Sequence, residues 1–500
     1  MPSEPAEAFA RLRRLHPISP VFTIATEARA LLLPGLLLLI ASRSGDLDVW
    51  VMLLFLPSMT LALVKYATFR YLLAEDELVI RSGILGRNER HIPYARIQNI
   101  GLRQNILHRL MGVAEVQVET AGGTEPEARL KVLALEVADE MRRRVFAVKR
   151  VQGVGAEPTQ TSAGSAPKIL ARLPLSEVAL FGMLNSRGLV VALTLLGIVW
   201  EMGRFGSGWP LLETTPRELA TMLFRGGLLS ARRAAILVVV LVAGAILLRF
   251  LSAGWALLKL YDFQLARAGD DLGVSCGLLT RTTATIPRHR IQLLSIVEPF
   301  LQRSFGRAQV KVETAGGGEE ASLARQWLVP SVTRESLGGL IAEVQPEVEV
   351  AGAAWEMVDP RAHRRIFKRM VFLALGVTIT FMWMFGVLAA LVLPFLLAGA
   401  FLDARLEASR MGWSLTPTAI LFRRGWWEKH VSIVRYAKVQ AVTLAESPFD
   451  RRWGMATVKI DTAGARGGGR EITIPYLRSD IARRLLDDVE QRAARTTFRW

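Results

Sequence analysis

The sequence has little of what covalent or metal chemistry needs. One cysteine, Cys276, stands in 500 residues, which excludes an intrachain disulfide framework and any cysteine metal cage. The six histidines, His16, His91, His108, His289, His363 and His430, are scattered, with no ligand spacing such as HExxH. Acids are absent from the centres of the apolar runs, and Glu201 lies at the end of one. That argues against a proton-coupled or cation transporter. Residues 1–20 are polar and do not read as a signal peptide.

Apolar residues and positive charge are abundant instead. Hydrophobic residues make up 51% of the chain, and 62 Lys and Arg against 45 Asp and Glu give a net charge of +17. The mean hydropathy is +0.30. Such charge suits an anionic membrane surface or nucleic acid, and the apolar runs favour the membrane. These form three clusters. The first reads as spans 28–42 and 49–65, and the second as spans 188–202 and 234–250 around a loop at 203–233. The third, 370–402, would be about 50 Å long as one helix, too long for a single crossing. Two short spans turning near Gly386, or one kinked span, would fit. Basic residues such as Arg13, Arg14, Lys65, Lys168, Lys259, Arg364 and Arg365 flank the clusters, which places the flanks in the cytoplasm. The 203–233 loop, with Arg204, Arg217, Arg225, Arg232 and Arg233, is a counter-signal.

The polar regions between clusters repeat one another. RSGILGRNERHIPYARIQNI, VSCGLLTRTTATIPRHRIQLL and FRRGWWEKHVSIVRYAKVQAV correspond, as do VAEVQVETAGG, RAQVKVETAGGG and MATVKIDTAGARGGG. Gly83, Arg96, Gly112 and Gly122 lie 13, 16 and 10 residues apart, and the same intervals separate Gly277, Arg290, Gly306 and Gly316, and Gly425, Lys438, Gly454 and Gly464. Each unit predicts short strands, among them one starting at Arg96, and a helical turn over 105–111. An alternating strand follows at 114–120, 308–314 or 456–462. A closing helix comes last, at 136–148, 334–344 or 479–494.

The run G…IP-x-x-R-I-Q, then Arg-x-x-Gly, then V-x-V-x-T-A-G resembles the bacterial pleckstrin-homology-like (PH-like) domain of membrane proteins, long form with three copies. The resemblance implies a seven-stranded, partly open barrel capped by a helix, and a smaller membrane protein with a single such domain as partner. The fold class expected is a mixed membrane protein, with transmembrane helical hairpins alternating with three small α+β PH-like barrels. The expected divisions are a basic N-terminal segment 1–27, hairpin 28–66, domain 67–150 and linker 151–175. Hairpin 176–256, domain 257–345, linker 346–369, apolar cluster 370–402 and domain 403–494 follow. The linkers are expected to let the modules move. In the third unit Arg435 replaces Pro93 and Pro287, and Lys438 replaces the arginine.

Arg96, Arg290 and Lys438 put a cation at one place in each unit, able to hold a lipid phosphate or partner carboxylate, or to pair internally. Arg109, Arg303 and Arg451 precede the turn glycine, as ligand contacts or as last-turn cations. Glu119-Thr120, Glu313-Thr314 and Asp461-Thr462 are better explained by turns than by catalysis, since no base or nucleophile accompanies them. No catalytic, metal or cofactor set emerges. The expectation is a membrane-anchored, non-enzymatic binding scaffold on an anionic lipid surface, with no nucleic-acid partner. Lipid headgroup handling and a role for six spans in transport are the alternatives.

Overall fold

A computed structural model describes residues 13–22, 60, 63–64, 66–83, 88–120, 128–151, 168–185, 231–314, 327–350, 352–462 and 472–496. Spans 28–42 and 188–202, most of span 49–65, most of the 203–233 loop, linker residues 152–167 and the glycine run at 464–470 lie outside them.

Among the described residues each repeat holds seven strands. The first has β1 (Arg13–Arg14), β2 (Arg70–Leu73), β3 (Glu77–Ser82), β4 (Asn88–Pro93), β5 (Ile97–Asn105), helix α1 (Ile106–Leu110), β6 (Val113–Thr120), β7 (Ala128–Ala134) and α2 (Leu135–Val151). The second has β8 (Lys168–Arg172), α3 (Leu175–Leu184), α4 (Ala231–Leu260), β9 (Gln264–Ala268), β10 (Asp271–Cys276), β11 (Thr280–Pro287), β12 (Ile291–Pro299), α5 (Phe300–Ser304), β13 (Arg307–Thr314), β14 (Val329–Thr333) and α6 (Arg334–Val344). The third has β15 (Glu356–Met357), α7 (Ala362–Phe385), α8 (Val392–Arg410), β16 (Gly412–Leu415), β17 (Ala419–Arg424), β18 (Glu428–Arg435), β19 (Val439–Ala445), α9 (Pro448–Trp453), β20 (Met455–Thr462), β21 (Ile472–Arg478) and α10 (Ser479–Arg495).

The first strand of each repeat precedes its apolar cluster. β1 pairs with β2 across it, Arg13 opposite Tyr71 and Arg14 opposite Arg70. β15 pairs with β16, Glu356 opposite Trp413. In the second repeat the Leu173 amide donates to the Phe263 carbonyl at 3.1 Å. The expected domain starts at 67, 257 and 403 are therefore corrected. Each domain begins before its apolar cluster, and the cluster is inserted between the first two strands. The expected linkers 151–175 and 346–369 hold β8 and β15, and residues 345–350 are pinned. Val348 is buried, and Thr418 Oγ1 donates to the Glu347 carbonyl. A two-residue strand is too short to show the alternation by which strands are read.

A 3-10 turn at Tyr94–Arg96, Arg288–Arg290 and Tyr436–Lys438 separates the fourth and fifth strands. The strand expected from Arg96 starts at Ile97, because Pro93 (φ −58°) enters a turn and gives the ladder no N–H. The strand then runs on to Asn105. Gly277 and Gly425 sit at the turn between the third and fourth strands with φ of 115° and 87°. A Cβ there would meet the carbonyl oxygens of Thr280 and Glu428 at 2.0 and 1.9 Å. The repeated glycine is a steric requirement.

The cores of the first and third barrels each join two strand groups and a helix. In the first, Leu15, Tyr71, Leu78 and Ile92 pack with Ile97, Val116, Leu130 and the α2 residues Met141 and Val145. In the third, Trp413, Ile420 and Val434 pack with Val458, Ile474 and the α10 residues Leu485 and Val489. A tyrosine and an arginine tie the closing helix down. Tyr94 Oη donates to the Ala74 carbonyl (2.9 Å) and Arg144 Nη1 to that of Leu73 (3.1 Å). Tyr436 Oη and Arg492 Nη1 both donate to the Thr416 carbonyl, at 3.2 and 3.0 Å. Burial raises the pKa of both phenols.

By contact the chain forms two compact units, residues 1–169 with 266–286 and 316–324, and residues 170–265 with 287–315 and 325–500. The strand order explains why three repeats do not give three units. The sheets run β1-β2-β3-β4, β7-β6-β5-β11-β10-β9-β8, β14-β13-β12-β18-β17-β16-β15 and β19-β20-β21. In the first unit the fifth strand of repeat one pairs with the fourth strand of repeat two, Asn105 opposite Thr280 and Leu102 opposite Thr283. In the second unit β12 pairs with β18 in the same way, from Pro299 opposite Glu428 to Leu294 opposite Ile433.

Removing the Tyr436 hydroxyl leaves a buried carbonyl with one donor fewer. Tyr436→Phe is expected to destabilise the third domain by about 1 kcal/mol, read as a lower unfolding midpoint by scanning fluorimetry in mild detergent. An unchanged midpoint would count against the clamp.

Candidate functional site

Among the described residues two helices are long and apolar enough to cross a membrane, over Val242–Leu260 and Ala362–Trp383. Their surfaces expose Ile246, Leu247, Phe250, Phe372, Leu373, Ile379 and Trp383. That is far more apolar surface than a water-facing helix presents. Helix α7 ends at Gly386 (φ 85°), where a turn was expected, and α8 packs back against it, with Phe367 and Phe401 edge to face at 5.7 Å. Helices α3 and α4 cross closely at Gly182, where a Cβ would lie 2.6 Å from Ala253 Cα. Ser252 Oγ donates to the Gly182 carbonyl at 2.7 Å. Arg249 caps α3 by donating to the Met183 carbonyl at 2.8 Å.

The feet of these helices are bolted to the sheets. Glu177 on α3 pairs with Arg307 on β13, and Phe181 meets Trp327 edge on at 5.7 Å. Arg365 on α7 pairs with Asp450 at 3.1 Å, and Lys368 lies 4.8 Å over the Trp453 ring. Phe22 packs on His108 of α1 with ring centres 4.0 Å apart. In repeats one and three the segment entering the apolar cluster thus rests on the short helix that precedes the sixth strand.

The six sequence candidates separate into two groups. Arg109 and Arg303 belong to the ends of the cross-repeat ladders. Arg109 Nη1 donates to the Leu278 carbonyl of the next repeat at 3.3 Å. Arg303 lies 5.7 Å over the Phe300 ring, which stacks on Trp427 of the next repeat at 4.8 Å and 11°. Arg451 occupies the same place in the last repeat and is exposed. Arg96, Arg290 and Lys438 share a 3-10 turn but not an environment. Arg96 is exposed, Arg290 half-buried and Lys438 buried. Burial lowers the Lys438 pKa to about 8, with repulsion from Arg435 and Arg290 adding to it. The second unit therefore gathers three cations, two of them sequence candidates. Arg435 is held by Glu347 and the Ile291 carbonyl, each at 3.5 Å. It stands where the other repeats have proline, and that departure was its signal.

No motif or spacing marks Glu298. It is 5% exposed on β12, bridges Arg334 at 2.7 Å and Lys429 of the next repeat at 3.6 Å, and lies opposite Lys429 in the ladder. Of the fourth- and fifth-strand edges that form the cross-repeat ladders, two remain. β4 and β19 are end strands of their sheets and have no strand partner on their outer sides among the described residues. Among those residues no group of three or more His, Cys, Asp or Glu could hold a metal ion.

A family model described as Bacterial PH domain matches residues 23–149, 219–334 and 370–493. The UPF0699 transmembrane protein YdbT of Bacillus subtilis (strain 168) is 23% identical over 466 residues, covering 89% of this chain and 92% of its own length. No solved structure matches.

The lowered pKa of Lys438 has a stability consequence. Below about pH 8 the folded chain carries a buried charge that the unfolded chain carries in water. Between about 8 and the ordinary 10.5 the unfolded chain binds more protons, so stability rises with pH. Lys438→Met is expected to stabilise the third domain by roughly 1–2 kcal/mol at pH 7. Denaturation series at several pH values should show the gain shrinking towards pH 10. A loss at pH 7 would mean that the ammonium is needed there.

Proposed function

The chain belongs to the bacterial PH domain family, whose model matches it three times, and from that premise we propose that it is a membrane-anchored, non-enzymatic scaffold. In this reading three apolar hairpins hold its PH-like domains at the cytoplasmic face of the inner membrane. The domains offer strand edges to a membrane protein that itself carries a PH-like domain. The anionic leaflet attracts the basic faces, and several weak sites on one chain act through effective concentration.

One observation carries the reading: each apolar cluster is inserted between two strands that pair with one another. Arg13 and Tyr71 are ladder partners, as are Glu356 and Trp413. Both ends of an insert must then lie on the same side of a membrane, so an insert that enters it crosses an even number of times. The Gly386 break and the α7–α8 packing support two crossings in the third cluster. The Bacillus relative's designation as a transmembrane protein supports the membrane location. The basic flanks support the orientation.

A topology reporter fused after Trp500 is expected on the cytoplasmic side, and an external terminus would overturn the arrangement. Mass spectrometry of the intact chain with whatever co-purifies from its own membrane in mild detergent tests the scaffold role. A stoichiometric protein carrying a PH-like domain is expected. One enriched acidic lipid with no protein would replace the scaffold by headgroup binding, with Arg96, Arg290 and Lys438 the first residues to test.

A further inference from the structure

The two internal ladders are the same joint made twice. In repeat numbering Thr280 corresponds to Glu428, and Asn105 to Pro299. The observed pairs Asn105–Thr280 and Pro299–Glu428 are therefore one register, as are Leu102–Thr283 and Ile296–Val431. Every repeat offers a fourth-strand edge and a fifth-strand edge, and the joint always pairs one kind with the other. Three repeats use two of each. Among the described residues one fourth-strand edge, β4, and one fifth-strand edge, β19, are left over.

The leftover strand β19 differs from its paired counterpart in exposure, not in character. On β12, Leu293, Leu294, Ile296 and Val297 are all buried. The corresponding residues of β19 are Ala441, Val442, Leu444 and Ala445, equally apolar, of which Ala441 is exposed and the others half-buried. On the other side β4 carries Asn88, Glu89, Arg90 and His91, all exposed. A polar strand serves at this joint, since Thr282 and Thr283 pair with Arg103 and Leu102. Charges on an edge strand discourage indiscriminate pairing, and here they leave a matched edge with a fixed register.

We infer that β19 of one chain pairs with β4 of a second copy, joining copies head to tail through the joint already used twice within the chain. The inference rests on the scaffold reading and names its partner as the chain itself. Continuing the register sets Asn88 opposite Ala445 and His91 opposite Val442. The contact is heterologous, so copies close into a ring or extend as a row. In a membrane the row would lie parallel to the surface.

Cross-linking in native membranes tests this. With Cys276→Ser in both, one tagged chain carries Asn88→Cys and a differently tagged chain carries Ala445→Cys. Facing residues of antiparallel strands are about 4.5–5.5 Å apart at Cα, within disulfide reach. After mild oxidation the heterospecific disulfide is expected to exceed by at least tenfold that formed when Ala445→Cys is replaced by Gln440→Cys. That position lies about 17 Å further along the strand. No excess over the off-register pair overturns the inference. So does a disulfide that forms only within one chain when both cysteines are on it. Native mass spectrometry of the unmutated chain is independent of the substitutions: two or more copies are expected, and single copies alone overturn the proposal. A stoichiometric foreign PH-like protein without a between-chain disulfide would defeat self-pairing and leave the scaffold reading standing.

Discussion

The backbone ladder between the strand that enters each apolar cluster and the strand that leaves it is the constraint on which the rest depends. Backbone N–H and C=O groups taken out of water must be paired. At Arg13–Tyr71 and Glu356–Trp413 the pairing brings together segments separated in sequence by a whole apolar cluster. The feet of the insert are thereby fixed one strand spacing apart, about 4.8 Å. Side chains stiffen the connection. Glu177 with Arg307, Arg365 with Asp450 and Lys368 over Trp453 bind the base of a helix to its own barrel. A tilt of the helices is then a load on the sheet, not a motion of a tether.

The same backbone chemistry acts between repeats. A three-stranded meander and a four-stranded meander each have exposed edges, and pairing one with the other removes both. Polar side chains specify the joint. Glu298 is buried between two cations, one from its own repeat and one from the next. Its surroundings are worth little as net stability but make a misregistered joint costly, because a shifted ladder strands the carboxylate. The Phe300–Trp427 stack and the Arg109 bond to Leu278 close the end of the joint.

Much of the barrel was legible in the sequence, for reasons that can be named. The spacing of Gly83, Gly277 and Gly425 reports a turn at which, in the latter two, a Cβ cannot fit. The alternation in 308–314 and 456–462 reports strands with one buried face. The closing helices show through their amphipathic pattern, with Leu485 and Val489 inward. The first strands were hidden, since Arg13-Arg14 and Glu356-Met357 are too short for a period and too polar for an apolar run. The joints were hidden too. Edge pairing is carried by main-chain groups, which every residue but proline supplies alike, so Thr280–Asn105 leaves no mark in the side chains. For the candidate cations, the repeat correctly aligned their positions but could not give depth. Arg96 and Lys438 share a turn, and one is in water while the other is buried.

A consequence for growth by duplication follows from the joint between repeats. Each added copy consumes one edge and supplies another of the same kind, so a chain of any number of repeats ends with one fourth-strand edge and one fifth-strand edge. Repeat number can then drift through unequal recombination while the two terminal faces stay chemically constant. A cut within the second repeat would behave differently from a cut between repeats. A cut between Ile286 and Pro287 would leave the β5–β11 joint in one half and the β12–β18 joint in the other. Each half would keep a finished joint and one whole repeat, and only the second repeat would be divided.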